Sequence, residues 1–236
     1  MKLKKETLRM LIAVNLLAVA IVLDVLTNAI PGLNLSMPFG GKFFGISMLP
    51  LILIGLLIGF KYGLIATFIF AVYNFGIDYI IYLETLRITL ETWTGIPWTF
   101  WMIALLVLLD YVIPFMAFGL SGLFKDGLKQ RKTFIIAVVS VSVIRLLSST
   151  LSGVILWGSS IEYASSQVSI GAESHNLATR IFSAVGDNLW LYSFGYNFIY
   201  IFTTGVTVIV LGLLIFKRLQ VLSYHFIENN WSTTFK

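Results

Sequence analysis

The 236 residues are 58% hydrophobic and only 11% charged, and the mean hydropathy of +0.92 leaves too little polar surface to cover a soluble domain of this size. The net charge of +5 falls in short basic clusters beside apolar runs, which argues against a nucleic-acid surface and fits residues that orient spans in a lipid bilayer. With no cysteine in the chain, a disulfide framework, a thiolate metal site and a cysteine nucleophile are all excluded.

In chain order, an apolar run from about Arg9 to Leu26 is long enough to cross the hydrocarbon core, and its start, MKLKKETLRM, has no convincing cleavage site after it. It reads as an uncleaved first span. A loop bearing Pro, Gly and Asn follows, and span two is expected over Ile46–Phe60. Lys61-Tyr62-Gly63 is expected to turn tightly into span three, Leu64–Tyr82, making an antiparallel pair. Residues 83–98 place Leu86, Leu90 and Trp93 at helical spacing, as in an amphipathic segment lying at the interface, with Trp93, Trp98 and Trp101 forming an aromatic belt. Span four is expected over Thr99–Phe124 with a kink at Pro114, and span five over Thr133–Trp157. A polar stretch to Asn188 reads as a long loop before span six, Leu189–Phe216.

These spans predict an all-α integral membrane protein, a single domain over 1–236 with six transmembrane helices. Lys and Arg number twelve on the side of the termini, the 61 turn and the 124–132 loop, against three (Lys42, Arg87, Arg180) on the other. Both termini are therefore expected in the cytoplasm, in a multi-pass protein of the plasma membrane. The connections after spans one, three and five then face outward, where they can close over a ligand.

Each charge inside a span must be compensated. Asp110 and Arg145 fall at similar depths, roughly 16–18 Å below the outer helix ends. They can form a buried pair that pins two helices, or Asp110 can face an outward cavity and meet a cationic ligand while Arg145 orients it. Trp157 closes span five, and Tyr192, Tyr196, Asn197 and Tyr200 lie on span six. Tyr192 and Asn197 are about 140° apart on an ideal helix, so they share a site only if the ligand lies across two faces. The run GLFKDGLK lacks the GK[ST] of a P-loop, His175 and His225 lack HExxH or triad context, and no serine sits in GxSxG. Catalysis, a metal and a cofactor thus have no motif here. A secondary carrier or channel for a small cation, coupled through Asp110 and Arg145, is the alternative reading.

The runs RLLSSTLSGVILWG (145–158) and YSFGYN (192–197), with Asp110-Tyr111 before them, resemble the thiamine-specific substrate-binding subunit, or S component, of energy-coupling factor (ECF) vitamin transporters. The likeness covers spans four to six. It implies thiamine capture in the outer half of the membrane: Trp157 stacking on a ring, Tyr192 flanking it, and Asp110, Tyr111 and Asn197 hydrogen-bonding or neutralising the cation. It also implies partners, a membrane coupling subunit and two ATPase subunits, with small residues of span one docking on the former; Ala13 and Ala20 lie near one face. Three positions depart from the family pattern. Ser149 stands where a histidine is expected, the first outer loop offers Phe43 or Phe44 in place of a tryptophan, and Asp110 replaces a glutamate. A related pyrimidine or another vitamin therefore stays open as the ligand.

Overall fold

The computed structural model describes residues 5–77, 83–124 and 127–224. These residues are all-helical, and the β-pairing among them is an isolated bridge between Ser36 and Lys42. Four helical stretches are long and apolar enough to cross a membrane: α1 (Lys5–Ala29), the composite Phe100–Leu123, α7 (Arg131–Ile155) and α10 (Leu189–Leu214). Their outward faces carry Val14, Val22, Val139, Val143, Phe198 and Phe202, all more than two-fifths exposed. Such faces are tolerated in lipid and costly in water.

The second and third expected spans are shorter than the sequence suggested. Between α1 and the composite helix, α2 (Met48–Ile58) and α3 (Phe60–Phe75) have 11 and 16 residues, about 16 and 24 Å of helix. Ten residues of α2 are buried; apolar all round, it is a core helix wrapped by its neighbours. The turn between the pair is one residue, Gly59 at φ +104°, a conformation open to glycine, so Gly63 is free to sit inside α3. There an added Cβ would come within 2.8 Å of the Gly119 carbonyl oxygen. The hairpin and the end of the composite helix thus meet backbone to backbone. The last residues expected in span three, 78–82, lie outside the described residues, as does His225.

α4 (Leu83–Thr94) buries Leu90 and packs on α8 (Gly158–Ser169), with Trp93 stacked on Tyr163 at 6.0 Å between ring centres. Trp98 is no belt residue: only 5% exposed, it packs in a cluster with Leu90, Leu106, Tyr111 and Leu156. The composite helix consists of α5 (Phe100–Leu106), a π-helical segment Val107–Val112, α6 (Ile113–Gly119) and a 3-10 turn Leu120–Leu123. Pro114 has no N–H to return to the Asp110 carbonyl, and the helix opens into π geometry just before it. The expected long loop after α7 is largely helical. It forms α8 and α9 (Leu177–Ala184), the latter opened by a capping box between Asn176 and Thr179. α10 follows, then the short α11 (Phe216–Ser223).

The main apolar core joins α1, α2, α3, α6 and α7 around Leu51, Ile54, Phe70 and Phe134. Ala13 and Ala20 belong to it, 7% and 0% exposed. Within the single chain, the small-residue face of α1 packs on α2 and α3. The polar residues gather at the opposite end, where α1 and α7 finish, α2 and α10 begin, and α4, α8 and α9 form a cap.

Candidate ligand-binding site

At that end lies a cavity of about 550 Å3, within the size range of small-molecule sites. Asp110, Tyr111, Ser149, Trp157, Tyr192 and Asn197 all line it. Tyr192 and Asn197 share it because the cavity spans a broad arc of α10 rather than because the helix is irregular; Ser193, Tyr196 and Tyr200 complete that wall.

One wall is built on the π segment. Asp110 accepts a hydrogen bond at its Oδ2 from the Trp157 indole N–H, at 3.0 Å. A charged acceptor holding an indole donor fixes the ring plane, and Trp98 packs edge-on against the same indole, 5.8 Å between centres. Trp98 is in turn tethered by its backbone N–H, which donates to Glu91 Oε1 at 2.7 Å. The half-buried Trp157 is thereby presented from three elements at once. Tyr111, next along the π segment, packs edge-on to Phe75 of α3.

The α7–α10 seam makes the second wall. Ser193 donates to the Thr150 carbonyl at 2.7 Å, and Asn197 Nδ2 donates to the carbonyls of Ser193 (2.8 Å) and Ser149 (3.2 Å). The Tyr200 hydroxyl donates to Asn197 Oδ1 at 2.7 Å. Both amide donor positions are thus spent on protein, and what Asn197 offers the cavity is the second lone pair of its oxygen. It staples two helices as well as facing a ligand.

The third wall is the connection between α1 and α2. The chain reverses between Ser36 and Lys42, with Met37 N–H donating to Gly41 O at 2.9 Å. Gly41 has φ +95° and no room for a Cβ, which would meet the Tyr200 ring at 2.7 Å. This reversal puts Phe39 on the cavity, while Phe43, one of the two aromatics expected there, packs beside Met37 and Tyr200 instead. α10 holds the connection at successive turns. The Tyr196 hydroxyl accepts from Phe39 N–H (2.8 Å) and donates to Gly40 O (3.1 Å), and the Thr204 hydroxyl lies on the Lys42 and Phe43 carbonyls. Lys42 pairs with the buried Asp24 of α1 at 3.0 Å. Asp24 carries a legible signal in the sequence, a carboxylate in an apolar helix, beyond the charges of Asp110 and Arg145. Phe39 and Asn74, which also face the cavity, carry no such mark in the sequence.

Of the two readings open for Asp110 and Arg145, the ion pair between them does not form. The ion pairs among the described residues are Arg9–Glu6, Lys42–Asp24 and Arg87–Glu84. Arg145 is 8% exposed; its Cζ lies 5.4 Å from the Phe118 ring centre and 5.8 Å from that of Tyr200, and Nη1 reaches Met48 Sδ at 2.9 Å. Equal depth left the rotation of each helix undetermined. The π segment turns Asp110 to Trp157, and aromatic faces take the place of a carboxylate beside Arg145.

Apolar outward faces, an all-helical frame and one chamber ringed by aromatic, amide and carboxylate groups define a helical membrane protein with a ligand-sized cavity. Residues 90–170 match the family described as thiamine transporter protein (Thia_YuaJ). Over 212 residues, 90% of this chain and 92% of the relative, the chain is 27% identical to the thiamine transporter ThiT of Bacillus subtilis (strain 168). The resemblance carried by spans four to six is borne out and extends to nearly the whole chain. No solved structure matches it.

Proposed function

We propose that this chain is the S component of an ECF-type transporter. It captures thiamine or a close analogue from outside the plasma membrane and passes it inward when joined to a membrane coupling subunit and two ATPase subunits. In this reading 1–236 is one six-span domain with both termini in the cytoplasm, and the cavity opens outward. The observation that carries it is the Asp110–Trp157 pair on the cavity wall: a carboxylate and an indole face, side by side, suit a flat cationic ring. Trp157 stacks on that ring, Tyr192 flanks it, Asp110 Oδ1 and Tyr111 take its polar edges, and the Asn197 oxygen accepts from an amino group. Ser149 enlarges the cavity where a longer side chain would reach the ligand, so water completes that contact.

The test is thiamine quenching of tryptophan fluorescence in the purified chain. Wild type quenches, and Trp157→Ala weakens binding by about thirtyfold, the equivalent of about 2 kcal/mol for a desolvated cation on an indole. Quenching that is absent in wild type, or untouched by both Trp157→Ala and Asn197→Ala, overturns the site.

A further inference from the structure

The cavity brings together four charged side chains, Asp24, Lys42, Asp110 and Arg145. Asp24 and Lys42 neutralise each other at 3.0 Å. Asp110 holds an indole N–H and is the group a cationic ligand would approach. Arg145 is left over: more than nine-tenths buried, facing the cavity, with its Nε unpartnered and Nη1 on a thioether, which is a weak acceptor. A guanidinium in this state has lost most of its water without gaining an anion. The rings of Phe118 and Tyr200 supply attraction at its faces, but face contacts leave its in-plane Nε–H unsatisfied.

We propose that the deep end of the cavity binds a small monovalent inorganic anion of the halide class against the in-plane edge of Arg145. Ser149, one turn along α7 on the same cavity, holds its hydroxyl on the Tyr200 phenol oxygen and adds no free donor. Asn197 and Tyr200 are committed to each other and to helix carbonyls, so the site offers one charge and few donors. Those terms suit a halide, which accepts few hydrogen bonds and tolerates aromatic and thioether neighbours. A phosphoryl or sulfate group brings more acceptor oxygens than the site can satisfy and a larger desolvation cost. Charge balance gives the site a role. The empty cavity sums to zero, a cationic ligand beside Asp110 makes it +1, and a halide at Arg145 restores neutrality in a medium of low dielectric. Cation and anion therefore bind with positive coupling, each raising the affinity of the other by the same factor.

This linkage rests on the thiamine reading; the anion site does not, and two measurements separate them. In the first, the thermal midpoint of the purified chain without thiamine is followed as bromide or chloride replaces gluconate at constant ionic strength. We expect the midpoint to rise in wild type, to rise less in Arg145→Lys, and not to move in Arg145→Met. In the second, thiamine quenching is titrated in chloride and in gluconate, with an expected gain in affinity of about tenfold in chloride, within the usual range of coupling between sites. A wild-type midpoint indifferent to halide overturns the anion site, whether or not the variants fold. So does a halide effect that survives in Arg145→Met, because that is a general salt effect. A halide-dependent midpoint with no thiamine quenching in either salt overturns the thiamine reading and leaves the anion site standing.

Discussion

Asp110 illustrates how one side chain can serve two tasks with its two oxygens: Oδ2 aligns the Trp157 indole, while the charge it shares with Oδ1 faces the cavity. The two tasks separate by mutation. Asp110→Asn keeps an oxygen for the indole and removes the charge; we expect binding of a thiazolium to weaken by about 1.5–3 kcal/mol, the usual worth of a charge-assisted hydrogen bond, while an uncharged pyrimidine analogue is barely affected. Asp110→Ala also frees Trp157, and both ligands should lose affinity in the same fluorescence titration. That Asp110 and Trp157 line the cavity was legible in the sequence because a charge inside an apolar run is costly and the WG and YSFGYN runs are distinctive. Their mutual contact was not, since depth along a helix says nothing about its rotation, and the π segment before Pro114 alters that rotation. The partners of Arg145 were hidden for a different reason: Phe118, Tyr200 and Met48 are ordinary apolar residues, and a search for opposite charges passes over them.

Under the proposed function, the connection between α1 and α2 is the element whose loosening should most affect ligand release. Tyr196 alone makes two hydrogen bonds to its backbone, at Phe39 and Gly40. Tyr196→Phe removes both while keeping the ring that packs between Tyr192 and Tyr200. At about 1 kcal/mol for each net hydrogen bond, we expect ligand dissociation to quicken by up to about thirtyfold in stopped-flow fluorescence, with association little changed. Elements of high hydropathy and sufficient length, α1, α7 and α10, were legible to within a few residues. α8 was not, because its helical face packs on α4 instead of lipid and its composition, rich in Ser, resembles a loop. The capping box at Asn176 and Thr179 was the local signal available for α9. Gly63 and Gly119 bring two elements together backbone to backbone. Gly119→Ala pushes a methyl group into the Gly63 backbone, and we expect a loss of about 1–3 kcal/mol, read as a lower unfolding temperature in detergent.

For the whole molecule, the distribution of Lys and Arg makes a topological prediction that the absence of cysteine renders easy to test. A single cysteine at Ser174, beyond α8, should react with a membrane-impermeant maleimide in intact cells, and one at Lys129, before α7, only after lysis. Labelling of both sites, or the reverse pattern, removes the proposed orientation. The all-helical class was legible from composition alone, whereas the unequal lengths of the helices depend on which of them the others enclose. That inequality bears on how the chain is made. With 11 residues, α2 cannot hold itself in a bilayer, and one glycine separates it from α3. In the order of synthesis α1 precedes α2 and α3 follows it directly, while the 3-10 turn and α6 that complete its enclosure come later. A chain stalled before α6 emerges therefore carries an apolar helix too short to span the bilayer and not yet enclosed by its later partners.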